Sequence, residues 1–297
     1  MDARRVIGGV GRTLIAAGSL ILLFVAYQLW GTGLAEARGQ RKLTRQFEQV
    51  LRSPAKPAPP SPAPGTPDPE PAPPPAPVGD AVAMIRIPKI GLEKAIVQGV
   101  GLSELKKAPG HYPTTPMPGE PGNAAIAGHR TTYGAPFFNL DELKMGDPIL
   151  VTTRVGEFRY EVTESKVVSP KETSVLQPTD DNRLTLTTCQ PRFSAAQRLI
   201  VVASLKSNAV DLPEPAAPPD QQPAVSLEES EADLSGAGAS NGPAIFWGFL
   251  AGLVWLGTWL AARRWRKLPA YLIGTPVFLV VLFVFFENFS RLLPANF

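Results

Sequence analysis

Cysteine and histidine are scarce in this 297-residue sequence: Cys189 stands alone, and His111 and His129 are the only imidazoles. A single cysteine excludes a disulfide within the chain and any cysteine-rich metal site, and two histidines would leave carboxylates to supply most ligands of a zinc centre. The composition therefore speaks against a soluble metalloenzyme. Charge is also sparse and nearly balanced, 29 basic against 26 acidic residues for a net +3, with no lysine and arginine run in the middle of the chain, which points away from a nucleic-acid partner. No P-loop, H-E-x-x-H, EF-hand or G-x-G-x-x-G pattern occurs, and the GVG turn at Gly99 and Gly101 lacks the third glycine and the βαβ setting of a dinucleotide site. Glu93, Asp141, Glu142 and Asp147 are scattered and read as ordinary surface carboxylates, so no cofactor and no metal are expected.

Apolar residues and prolines are abundant but unevenly placed. Residues 13–30 (TLIAAGSLILLFVAYQLW) are uncharged, follow Arg4, Arg5 and Arg12, and end with Tyr27 and Trp30. The run is long enough to cross a bilayer. A cleaved signal peptide is the competing reading, but the run exceeds a usual h-region and lacks a clear small-x-small site before Glu36. Two further spans are expected at 245–262 and 268–286, around the basic loop RRWRK at 263–267. Positive charge favours the cytoplasmic side, which puts residues 1–12 and 263–267 inside and residues 31–244 and the tail 287–297 outside. The expected location is thus the cell membrane, multi-pass, with the intervening domain on the extracellular face. Residues 31–52 form a juxtamembrane segment in which 36–51 is compatible with a short helix. Residues 53–80 hold 13 prolines in 28 positions and read as an extended stalk. Residues 209–244 carry seven acidic residues and read as a second, disordered tether.

Between these linkers, residues 81–208 alternate β-like runs with glycine and proline turns. Strands are expected at 83–88, 94–100, 123–128, 147–153, 158–169, 183–189 and 198–206, the fifth bending midway. Only 103–107 and 137–143 suit short helices. Seven or eight strands with little helix imply an all-β domain, closed or sandwich-like.

The residues suited to chemistry converge on the rare types. Cys189 closes the run LTLTTC where the chain turns. Such a cysteine is either a small buried hydrophobe or a nucleophile, and an unpaired thiol outside the cell favours burial or use. A thiol nucleophile needs a base or ion-pair partner. His129, after an apolar strand in AIAGHRTTYG, suits that role better than His111 in the proline-rich loop PGHYPTTP. Arg198 lies nine residues beyond Cys189, and an antiparallel turn would bring the two together. A guanidinium there lowers the thiol pKa and donates to an oxyanion. Arg130 and Arg192 are alternatives by position, but both fall in loops and read as solvated charges.

TLTTCQPRFSAAQRLIVVA, with NAAIAGHR and the opening IRIPKIGL, resembles the sortases, bacterial cysteine transpeptidases, over residues 82–206. The resemblance implies an eight-stranded sortase β-barrel with His129, Cys189 and Arg198 as the catalytic trio. GHYP at 110–113 is most similar to class E enzymes of high-GC Gram-positive bacteria, which implies an LAXTG/LPXTG-like sorting signal cleaved between Thr and Gly, with Tyr112 and Thr188 as substrate contacts. The implied partners are secreted proteins bearing that signal, the amine of a peptidoglycan precursor as acceptor, and the lipid bilayer, with no nucleic acid. A membrane-anchored cysteine endopeptidase and a non-catalytic tethered binding domain are the alternatives. The two carboxyl-terminal spans depart from the single amino-terminal anchor usual in the family.

Overall fold

The computed structural model describes residues 3–52, 76–208, 241–265 and 267–290, so most of the proline tract and nearly all of the acidic tether lie outside the described residues. In chain order the elements are α1 (Ala3–Ala26), α2 (Thr32–Arg52), β1 (Ala81–Ile87), β2 (Leu92–Gln98), α3 (Leu102–Leu105), β3 (Gly110–His111), β4 (Asn123–Ala127), β5 (Pro148–Thr153), β6 (Gly156–Val168), β7 (Arg183–Gln190), β8 (Gln197–Asn208), α4 (Gly242–Arg264) and α5 (Lys267–Phe289). They divide into two units, one holding α1, α4 and α5, the other running from Thr32 through the β domain.

Among the described residues, three helical stretches are long and apolar enough to cross a membrane, Ile7–Arg52, Gly242–Arg264 and Lys267–Phe289. In the first unit, aromatic rings pack the end of α1 and the turn after it against α5. Phe24 meets Phe286 edge-on with centroids 5.1 Å apart, and Tyr27, in the π-helical turn Tyr27–Gly31, meets Phe283 likewise at 5.1 Å.

In the second unit the eight strands close into a barrel in the order β1-β2-β3-β4-β7-β8-β6-β5. Two pairings are parallel, β2 with β3 and β4 with β7. Alternating strands such as β5 and the first half of β6 turn Ile149, Val151, Phe158, Tyr160 and Val162 into the barrel, where they join Ile85, Ile126, Leu184, Leu186 and Val201 in one core. The long β6 is irregular midway: its pairing with β8 shifts register between Arg159 and Tyr160 and again between Val162 and Glu164. Sequence reading did not yield β3, because two residues inside a proline-rich loop show no period; the backbone of β4 draws them into the barrel.

The segment before the proline tract is a structural part of this unit. Leu43 and Phe47 of α2, 3% and 1% exposed, pack on Ala81, Ala95, Val97 and Ala108. Because β3 pairs only with Val97 and Gln98, it leaves Ala95 without a strand neighbour on that side. The Gln40 side chain fills the place: its amide donates to the Ala95 carbonyl at 3.0 Å and its oxygen accepts from the Ala95 amide at 2.9 Å. Lys94 donates to the buried Glu36 at 2.7 Å beside it.

Candidate active site

Cys189 stands near the end of β7, directly opposite Arg198 near the start of β8. The nine-residue spacing thus closes as an antiparallel turn. The Arg198 guanidinium is held by the carbonyls of Ala195 at 3.1 Å and Gln197 at 3.2 Å, both in its own turn. Cys189 is half-buried, and burial pushes its thiol pKa up, while the positive charges of Arg198 and then Arg130 pull it down; the net direction is upward.

The parallel pairing of β4 with β7 brings in the third group. Ala127 stands beside Thr187, the amide of Gly128 donates to the Thr187 carbonyl at 3.1 Å, and the Thr188 hydroxyl donates to the Gly128 carbonyl at 2.7 Å. His129 follows two residues after the end of β4, as Cys189 follows two residues after Thr187 on β7. Gly128 is required there because a Cβ would lie 2.6 Å from the Phe137 ring, which closes the inner side of the loop. The His129 ring is buried; Thr132 Oγ1 lies 3.4 Å from its Nδ1, and the Tyr133 ring lies 5.0 Å away, centroid to centroid.

Of the residues expected from sequence, the fold therefore groups Cys189, His129 and Arg198. Thr188 is buried, with its hydroxyl engaged on Gly128, an arrangement that ties the histidine loop to β7. Tyr112 follows β3 and is half-buried. Its amide donates to Ala125, which pairs with Thr185, four residues before Cys189 on β7. At about 3.3 Å per residue, Tyr112 sits about 13 Å down the strands from the thiol. His111 is buried between the Gln98 side-chain oxygen and the Pro116 carbonyl, each 2.9 Å from a ring nitrogen, and burial pushes its pKa down. This is a wall histidine, tied into the barrel.

Arg130 corrects the reading of it as a solvated charge. Its side chain is 2% exposed and reaches Asp141 at 2.9 Å, the Phe138 carbonyl at 2.8 Å, the Gln190 side chain at 3.0 Å and the Cys189 carbonyl at 3.4 Å. Arg192 joins the same carboxylate at 3.0 Å and lies over the Phe138 ring. The network fastens the histidine loop to the β7–β8 turn. Its only trace in the sequence is the position of Arg130 beside His129.

The fold is a closed eight-stranded barrel with Cys189 and Arg198 opposite each other on β7 and β8 and His129 two residues beyond β4, the strand that pairs with β7. Residues 85–206 match the family model of the sortase domain. The barrel domain of this chain belongs to the sortases. Over 212 residues the chain is 33% identical to Sortase SrtE1 of Streptomyces coelicolor, covering 65% of this chain and 55% of that protein. Over 114 residues it is 37% identical to Sortase D of Bacillus subtilis, covering 38% and 56%. The solved structure of sortase E from Streptomyces avermitilis is 36% identical, with 45% of this chain and 92% of that one covered and a TM-score of 0.42. The chain thus spans about half the length of these two curated relatives, at 55% and 56%. Its similarity includes class E.

Proposed function

We propose that this chain is a membrane-anchored transpeptidase that cleaves an LAXTG/LPXTG-like sorting signal between Thr and Gly and joins the threonine to an amine of a peptidoglycan precursor. The observation that supports the reading is the register that sets Cys189 opposite Arg198, with His129 two residues beyond the end of β4, the strand paired with β7.

The Cys189 thiolate attacks the threonine carbonyl, and the Arg198 guanidinium donates to the oxyanion that forms. His129, as imidazolium, gives its proton to the departing glycine amine as the C–N bond breaks, which leaves a thioester on Cys189 and a neutral imidazole. An incoming amine then loses a proton to His129 and attacks the thioester; the amide forms and the thiolate leaves. Protons and bonds balance without a cofactor. Tyr112 would contact the signal upstream of its threonine, where the resemblance associates the tyrosine with accepting alanine in place of proline, and Thr188 would serve substrate binding through the backbone it positions.

The full chain in detergent, incubated with an LAXTG peptide and examined by mass spectrometry, is expected to carry the peptide's acyl portion on Cys189. With an amine acceptor added, a new conjugate should replace it. Free acid alone in both incubations would identify a hydrolase, and an unmodified thiol would remove the covalent mechanism.

A further inference from the structure

The residues around His129 are bound to a helix outside the barrel. Tyr133, Gly134 and Ala135 have φ of 50°, 74° and 44°, three consecutive positions in the left-handed region. A non-glycine residue there costs roughly 1–2 kcal/mol and persists only where its surroundings impose it. One local bond, from the Ala135 amide to the Thr132 carbonyl at 2.9 Å, closes the turn. Two more local bonds, from the Phe137 amide to the His129 carbonyl at 3.1 Å and from the Phe138 amide to the Ala135 carbonyl at 3.0 Å, hold its far side, and further restraints come from the first turns of α2. The buried Thr32 hydroxyl accepts from the Tyr133 amide at 3.2 Å. Glu36 lies against Gly134 so closely that a Cβ there would stand 2.6 Å from its Oε2, and Glu36 is itself held by Lys94. Further along, Gln40, Leu43 and Phe47 fix the helix to the barrel wall. A rigid path therefore runs from β2 through α2 to the turn whose Thr132 hydroxyl and Tyr133 ring face His129.

We propose that Thr32 is a positioning residue for His129. Its hydroxyl fixes the Tyr133 amide and so sets the ring against the imidazole and the Thr132 hydroxyl near Nδ1. The proposal rests on the assignment of His129 as the proton-transfer group, and the test separates the two. With only two histidines in the chain, ring nitrogen NMR of histidine-labelled full-length protein in detergent resolves His129 from His111, the latter serving as an internal control. In Thr32→Val, which keeps the shape and loses the acceptor, the His129 ring shifts are expected to move while those of His111 stay. Turnover of an LAXTG peptide should fall about tenfold or more in kcat, as small misplacements of a catalytic group do, with KM little changed. Thr32→Ser, which restores the acceptor, should recover both readouts. Unchanged His129 shifts in Thr32→Val, equal movement of both histidines, or failure of Thr32→Ser to recover them would overturn the proposal. If the parent protein itself forms no acyl adduct, the transpeptidase reading fails, and the NMR comparison still decides the role of Thr32.

Discussion

Two opposed effects act on Cys189: burial holds the proton on its sulfur, and Arg198, more than Arg130, favours releasing it. Because the thiolate is the charged form, a raised pKa means that the reactive fraction grows as pH climbs through and beyond the ordinary thiol range. Arg198 contributes both charge and a planar donor fork, and two substitutions separate them. Arg198→Lys keeps the cation, so the pH curve for alkylation of Cys189 by iodoacetamide should stay near the parent's, while peptide turnover falls about a hundredfold for loss of an oxyanion donor. Arg198→Gln loses both, and its alkylation curve should move to higher pH. Superimposable curves for all three proteins would deny the arginine any influence on the thiol. Cys189, His129 and Arg198 stood out in the sequence as rare or suitably spaced types at strand ends, and the structure sets Cys189 opposite Arg198. Arg130 was not, since an arginine in a loop reads as solvated until Asp141, Phe138 and the end of β7 are brought around it.

The docking of α2 has its own pH dependence. Burial raises the pKa of Glu36, and the bond and charge of Lys94 offset this only in part. A carboxyl whose folded pKa is raised stabilises most fully below its unfolded value of about 4.5 and loses that contribution as pH rises through the folded value. Lys94→Met removes the partner and should cost about 3 kcal/mol at neutral pH, the usual penalty of an uncompensated buried charge. Near pH 4 most of that loss should vanish, because Glu36 is then neutral. Melting of the full chain in detergent at the two pH values checks this, and an equal loss at both would mean that Lys94 acts through packing alone. At the element scale the strands other than β3 were readable from alternation and β-branched runs, and a helix at 36–51 was expected. Its attachment was not, because the Gln40 clasp depends on the shortness of β3 on the far side of β2.

At the scale of the whole molecule, three helical stretches among the described residues are long and apolar enough to span a bilayer beside the sortase domain. The arginines at 4, 5 and 12 and the basic loop at 263–267 support a topology in which those segments are cytoplasmic and the catalytic domain is outside. Single cysteines at positions 75, 235, 266 and 294 in a Cys189→Ser background test it. In intact cells a membrane-impermeant maleimide should label 75, 235 and 294, and should reach 266 only after lysis; labelling of 266 in intact cells would refute this topology. The strand order carries a further consequence, for the timing of synthesis. β8 lies between β6 and β7, and it also carries Arg198. A nascent chain ending before residue 197 has two long strands with open hydrogen-bonding edges and a thiol without its cation. Both defects disappear in one step when β8 inserts. On the proposed reading, transpeptidase chemistry cannot begin before the barrel is sealed, and the half-made copy, with its open strand edges, is the form more exposed to aggregation.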